Sequence, residues 1–338
     1  MNRPAEDTRK SSLPSRSPLG PTLPMLRLMR LPNVFTAVAD VLMGYVFARH
    51  SFSPGGALLC LVTASALLYT AGMVLNDVFD LEIDKKERPQ RPLPSGQIAV
   101  AQARILGFVM LLLGIGFGWL AGFLYQDDPL LPITYPWRSG AIATALAAAV
   151  LLYDGILKKT PLGPLGMGLC RLLNVLLGMS LAGASEFGVK DEFWLGFTFA
   201  QWTIAAGIGL YVVGVTIYAK SEVEARSQTL QLMPGVLVMV AGVVVLGLAA
   251  FLTRLQLQPN YVYWVLLGLL ALTVVRRATS AALDGSAPLV QGAVKHAILS
   301  IIMFDAAVAA ASGPLAYAIV IIALIGPAVL LGKWVYST

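Results

Sequence analysis

Charge is scarce in this 338-residue chain. Asp, Glu, Lys and Arg together make up 12% of it, about half the share of an ordinary soluble domain. That excludes a conventional soluble globular protein. Histidine is rarer still. His50 and His296 are the only two, too few for a His-based metal site or general-base mechanism. The two cysteines, Cys60 and Cys170, both lie in apolar segments. They read as small buried hydrophobes, not as a disulfide framework or a zinc site. No nucleophilic triad, Walker loop or zinc motif occurs. The formal charge of +6 comes without an arginine-rich patch interleaved with aromatics, so it does not point to nucleic acid.

What the chain has instead is apolar length. Hydrophobic residues make up 57% and the mean hydropathy is +0.75, which marks an all-α, polytopic transmembrane bundle among membrane lipids. Ten apolar segments lie near 33–48, 56–76, 101–124, 139–157, 163–184, 194–217, 232–252, 260–275, 288–311 and 314–335. One re-entrant segment would reduce the count, so the expectation is nine to ten spans. Residues 1–24, rich in Pro, Ser and charge, read as a disordered cytoplasmic tail without a signal peptide. Residues 25–338 read as one transmembrane domain.

With the N-terminus inside, the inner loops and tails hold 18 Lys and Arg residues and the outer loops four, namely Arg49, Arg138, Lys190 and Arg254. This asymmetry predicts an integral protein of the bacterial inner membrane with a cytoplasmic N-terminus.

The densest polar feature is Asn76-Asp77-Val78-Phe79-Asp80-Leu81-Glu82-Ile83-Asp84, at the end of the second apolar segment. On a helix, Asn76, Asp77, Asp80 and Asp84 fall at about 0°, 100°, 40° and 80°, on one face. Carboxylates this close repel unless a cation sits between them. Hard oxygen ligands with room for water suit Mg²⁺ bridging to a phosphate, so a diphosphate substrate is the first hypothesis. Lys85, Lys86, Arg88 and Arg91 follow, then the stiff Pro92-Leu93-Pro94-Ser95-Gly96. They form either a diphosphate clamp or a solvated inner loop.

Asn-Asp-x-x-Asp-x-x-x-Asp followed by Arg91-Pro-Leu-Pro-Ser-Gly96 resembles the first signature of the UbiA superfamily of intramembrane prenyltransferases. The resemblance covers most of residues 25–335. It implies a helical protein, usually of nine spans, that joins a prenyl diphosphate to an aromatic or other lipophilic acceptor with Mg²⁺. It implies Asn76, Asp77, Asp80 and Asp84 as metal and diphosphate ligands, the three aspartates being catalytic. Arg88 and Arg91 become phosphate contacts and Lys158 a diphosphate-binding lysine, unless it snorkels at the membrane edge. Asn33 takes the place of a substrate-side asparagine, or else links packed spans.

The second polar loop departs from that family. The superfamily has a second Asp-rich motif at the end of the sixth span. Here the place reads Thr216-Ile217-Tyr218-Ala219-Lys220-Ser221-Glu222-Val223-Glu224, without aspartate. Tyr218 and Glu222 are i,i+4, and Glu222 with water is the one-carboxylate metal site that remains. This wording, with Arg171-Leu-Leu-Asn174-Val-Leu-Leu-Gly178-Met179-Ser180, is similar to the UbiA-like EboC branch. That likeness implies an alternative, a protein that binds or exports a lipophilic secondary metabolite.

Within the spans, Arg171 and Asn174 lie one helical turn apart. The arginine requires either a diphosphate or a counter-charge, for which Asp154 is the candidate. Asp305 lies far from the predicted cytoplasmic end, which leaves it pairing with another span or serving a proton relay or solute path.

Overall fold

The computed structural model describes residues 22–124, 133–181, 192–224, 229–252 and 260–335. Helices α1 (Leu23–Leu28), α2 (Leu31–Arg49), α3 (Gly55–Phe79), α4 (Leu81–Glu87), α5 (Val100–Phe123) and α6 (Trp137–Gly155) are followed by a single 3-10 turn (Leu157–Lys159). Then come α7 (Gly163–Met179), α8 (Phe199–Glu224), α9 (Thr229–Leu252), α10 (Asn260–Asp284), α11 (Ala287–Ser312), α12 (Leu315–Ala323) and α13 (Ile325–Val335). Proline opens α1, α2, α7 and α11 within their first two positions, where a missing N–H costs no helical bond. Residues 1–21 lie outside the described part. α1 begins at Leu23, so the end of the expected tail is helical.

Among the described residues nine helical stretches are long and apolar enough to cross a membrane, α12 and α13 together forming the last. α7, at 17 residues, is the shorter apolar helix beside them. This is the all-α bundle of nine to ten spans read from composition. Helices satisfy their own backbone groups, which hydrocarbon demands. Leu112, Leu237, Phe251, Leu269 and Leu315 are each more than half exposed, on the outward surface that lipid covers.

Three boundaries differ from the sequence reading. The segment expected from 194 starts as an antiparallel hairpin, β1 (Glu192–Trp194) and β2 (Phe197–Thr198), before α8 begins at Phe199. Its turn places Leu195 and Gly196 at φ 54° and 71°, which a helix cannot hold. α10 runs on past the expected end at 275 to Asp284 and carries Arg276 and Arg277 within it. Arg138, counted among outer-loop charges, is buried in the first turn of α6. Its Nε donates to Ser180 O at 2.7 Å, a second nitrogen donates to Gly196 O, and the guanidinium lies 4.3 Å from the Phe197 ring centroid. Backbone carbonyls and an aromatic face satisfy that cation without water.

Around the central helices, α2 packs on α3, α7, α11 and α13. At the α2–α7 contact the two backbones approach closely. A Cβ added to Gly44 would lie 2.7 Å from Val175 O, and one added to Gly178 would lie 2.6 Å from Val41 O. Only two glycines allow these backbones to touch, as small residues do between membrane helices. That approach brings the polar side chains of α2 and α7 together.

Candidate functional site

At one end of the bundle α3 stops at Phe79. Asp80 caps it, its N–H bonded to Asn76 O at 2.9 Å, and α4 starts at Leu81. The chain then folds back through Arg88–Ile98. Ser95 Oγ donates to Arg91 O at 2.7 Å, and Gly96 turns the chain at φ 75°. Leu93 and Ile98 pack with Leu28, Val74 and Ala103 in a small apolar cluster. This anchoring holds Arg91 over the aspartates.

The four predicted ligands sort into two pairs. Arg91 Nη1 bridges Asp84 Oδ2 at 2.7 Å and Asp77 Oδ1 at 3.3 Å. Arg30 Nη2 reaches Asp77 Oδ1 at 3.0 Å, and Arg88 Nη1 lies 3.5 Å from Asp84 Oδ1. Lys158 Nζ donates to Asn76 Oδ1 at 2.8 Å and pairs with Asp80 Oδ1 at 2.8 Å. The wheel angles put all four on one face but do not foretell this division, since Asp80 lies about 40° from both Asn76 and Asp84. Asp77 and Asp84 are buried and Asp80 is partly exposed. Asp154 is buried within electrostatic reach of Lys158 and Asp80.

Beneath this mouth lies a cavity of about 380 Å³. One wall is polar, with Arg30, Asn33, Thr36, Ser65, Arg171 and Asn174. The rest of the lining is apolar, with Leu68, Val150, Met167, Val212, Ile298 and Ile301 among its residues. From Met73 to Ser65 the lining descends eight residues along α3, about 12 Å at 1.5 Å per residue.

The polar wall is anchored from behind. Arg171 Nε lies 2.6 Å from Asp40 Oδ2, an ion pair whose N–H is not aimed as a hydrogen bond. Arg171 Nη2 donates to Thr36 O at 2.7 Å and Nη1 to Thr36 Oγ1 at 3.2 Å. Asn174 Nδ2 donates to Asp40 Oδ2 at 2.8 Å and to Ala37 O at 2.9 Å, while Ser65 Oγ donates to Asn174 Oδ1 at 2.6 Å. The counter-charge of Arg171 is therefore Asp40, not Asp154. The pairing needs α2 against α7, which sequence proximity does not reveal.

Asn33, Arg171 and Asn174 line the cavity; Asn76, Asp77, Asp80, Asp84, Arg88, Arg91 and Lys158 meet at its mouth. Tyr218 stands apart: it is buried in α8 with its hydroxyl donating to Ala278 O at 2.8 Å, and it does not line the cavity. The side chain of Glu222 lies outside the described residues. Sequence reasoning left Arg30, Thr36 and Ser65 unassigned. Arg30 carried a signal, a cation just before the Leu31-Pro32-Asn33 helix start. It takes φ 45° there.

Among the described residues no three His, Cys, Asp or Glu side chains stand close enough to hold a metal by themselves. The donor chemistry nonetheless fits a hard divalent cation. Carboxylate and amide oxygens gather at the mouth, and among the described residues the buried Asp84 Oδ1 accepts no hydrogen bond, only the ion pair with Arg88. Mg²⁺ keeps waters and shares carboxylates with substrate phosphates, so a pair of aspartates is a sufficient protein contribution.

A model of the UbiA prenyltransferase family matches residues 37–287. Digeranylgeranylglyceryl phosphate synthase of Sulfurisphaera tokodaii is 43% identical over 89 residues, 26% of this chain and 32% of the relative. The synthase of the same name from Sulfolobus acidocaldarius is 35% identical over 152 residues, 45% and 49% of the two chains. The chain thus spans a third to a half of the length of these curated relatives. Among solved structures, a UbiA homolog from Aeropyrum pernix K1 superposes with TM-score 0.59 at 18% identity, covering 81% of this chain and 96% of its own. A structure of digeranylgeranylglyceryl phosphate synthase superposes with TM-score 0.55 at 20% identity, covering 86% and 98%. At these identities the likeness is one of fold.

Proposed function

The chain belongs to the UbiA prenyltransferase family, and on that premise we propose that it transfers a prenyl group from a prenyl diphosphate to a lipophilic acceptor inside the membrane. The observation that carries this reading is the junction of two chemistries. A mouth of exchangeable acid–cation pairs opens onto a cavity with one apolar wall. The diphosphate belongs at the mouth and the isoprenoid tail along Leu68, Val150, Val212 and Ile298. Relatives named for making digeranylgeranylglyceryl phosphate favour a lipid-like acceptor over a soluble one. The positive-inside count supports a mouth on the cytoplasmic face.

Three carboxylates, Asp77, Asp80 and Asp84, face four cationic side chains, Arg30, Arg88, Arg91 and Lys158. The mouth is thus nearly neutral and attracts neither a bare cation nor a bare diphosphate strongly. Together the two ligands bring opposite charge and exchange partners. Asp77, Asp80 and Asp84 with Asn76 would turn to Mg²⁺, while the cations turn to phosphate oxygens. Bound there, Mg²⁺ supplies charge neutralisation of the leaving diphosphate. Arg88, Arg91 and Lys158 add charge-assisted hydrogen bonds as the allylic carbon–oxygen bond breaks. The apolar wall keeps water from the electron-poor carbon until the acceptor attacks and loses its proton. The test is transfer of labelled prenyl groups by the purified protein to lipophilic acceptors, with and without Mg²⁺. Full activity in Asp80→Ala would sink the role given to that residue.

A second reading has one observation in its favour. The chain's own Arg and Lys side chains already pair every aspartate of the mouth, as a binding or exporting protein of the EboC-like kind would allow. Mg²⁺-dependent binding of geranyl, farnesyl and geranylgeranyl diphosphate separates the two. Binding of none of them favours the carrier.

A further inference from the structure

Behind the polar wall, Asp305 of α11 faces Asp40 of α2, and both carboxyls are fully buried. Asp40 Oδ2 is used by Asn174 and Arg171. Asp40 Oδ1 and both oxygens of Asp305 meet no hydrogen-bond donor. Two ionised carboxylates in contact would repel one another, and α7 brings one cation to them, Arg171. Both ionised, the trio would carry a net negative charge in the middle of a membrane bundle, where an uncompensated charge is expensive. A single proton removes that charge. It also supplies the donor that these oxygens lack, and two carboxyls sharing one site do hold one proton between them.

We infer that Asp305 and Asp40 hold one proton between them, and that this bridged pair positions Arg171 and Asn174 on the cavity wall. The proton lets Asp305 donate to Asp40 Oδ1. Asp40 is then fixed from the α11 side, and its Oδ2 keeps both cavity residues in place. α2, α7 and α11 are latched at one point. Asp305 and Asp40 do not line the cavity, so their part is to position, not to react. The link to substrate rests on the function proposed above, whereas the proton does not.

The experiment has two arms on the full chain in detergent. Infrared spectra of wild type minus Asp305→Asn should show the carbonyl stretch of a protonated carboxylic acid at neutral pH, shifted in D₂O. Absence of that band overturns the proposal, because both carboxyls are then ionised and something else lies between them. In the second arm, Asp305→Asn restores a donor to Asp40 and should bind geranylgeranyl diphosphate within about twofold of wild type. Asp305→Ala leaves a buried acceptor unpaired and should weaken binding about tenfold. Equal affinity of the two variants overturns the positioning role. Should wild type bind no prenyl diphosphate, the substrate reading falls, and the infrared arm still decides the proton.

Discussion

The mouth and the deep network use the same residue types to opposite ends. At the mouth Asp80 and Lys158 are 20% and 12% exposed in their side chains, and Arg91 is 26% exposed. Each acid there is held by long cationic side chains that keep some contact with solvent. About 15 Å deeper, by the rise over the ten residues from Arg30 to Asp40, Asp40 is fully buried and Arg171 nearly so. Arg171 donates to the Thr36 carbonyl of α2, Asn174 donates to Asp40 and to the Ala37 carbonyl, and Ser65 donates to Asn174. Asp80, Arg91 and Lys158 of the first set touch solvent, Asp77 and Asp84 are buried beneath their cations, and the second set is closed off. On the proposed function, the cations that would change partners keep a solvent-exposed side, and the charges that would not are bonded to the backbone.

Breaking the deep region should give the largest effect. Arg171→Ala leaves Asp40 as an uncompensated buried charge, which costs about 3–5 kcal/mol. Thermal unfolding in detergent should show it even without substrate. Asp80→Ala tests the other side of the contrast. Its loss should lower prenyl transfer by about 10²–10³-fold, the scale of removing one group that stabilises developing charge. It should change stability by about 1 kcal/mol or less, since a partly exposed pair contributes little. A stability loss equal to that of Arg171→Ala would erase the distinction between exchangeable and fixed charge.

The contrast also explains what could be read from the sequence. The mouth was legible because its ligands are local: residues 76, 77, 80 and 84 share nearly continuous helix and one face of it, though their division between Lys158 and Arg91 was not legible. The spans were legible because hydrocarbon tolerates little else. The deep network was not. Asp40, Ser65, Arg171 and Asp305 come from four helices, and their meeting depends on the Gly44–Gly178 contact. Asp154 looked like the partner of Arg171 only because it is nearer in the chain. Arg138 read as an outer-loop charge for a related reason. Nothing local says that Ser180 and Gly196 will offer it carbonyls. The β1–β2 hairpin was hidden because Phe193, Trp194 and Phe197 are as apolar as a span.

Gly178→Ala sharpens the comparison at its structural cause. The added methyl meets Val41 O at 2.6 Å, so α2 and α7 must part, at a cost of about 1–3 kcal/mol for overpacking. That displacement should loosen Arg171 and Asn174 from Asp40 and leave Arg91 and Lys158 untouched. The signature is a lower unfolding temperature together with unchanged salt dependence of diphosphate binding, because salt screens the mouth and not the buried pairs.

Lys85→Ala should show the smallest effect. Lys85 Nζ pairs with Glu82 at 2.6 Å, but the side chains are 51% and 80% exposed. An exposed i,i+3 pair on a helix contributes a few tenths of a kcal/mol at most. Lys85 belongs to the same loop as Arg88 and Arg91 yet touches neither Asp77, Asp80 nor Asp84. Transfer activity and unfolding temperature near wild type would mean that the mouth works through particular pairs. A clear loss of activity would mean that the positive field of the whole loop draws the diphosphate in, and each cation would then count by its charge more than by its partner.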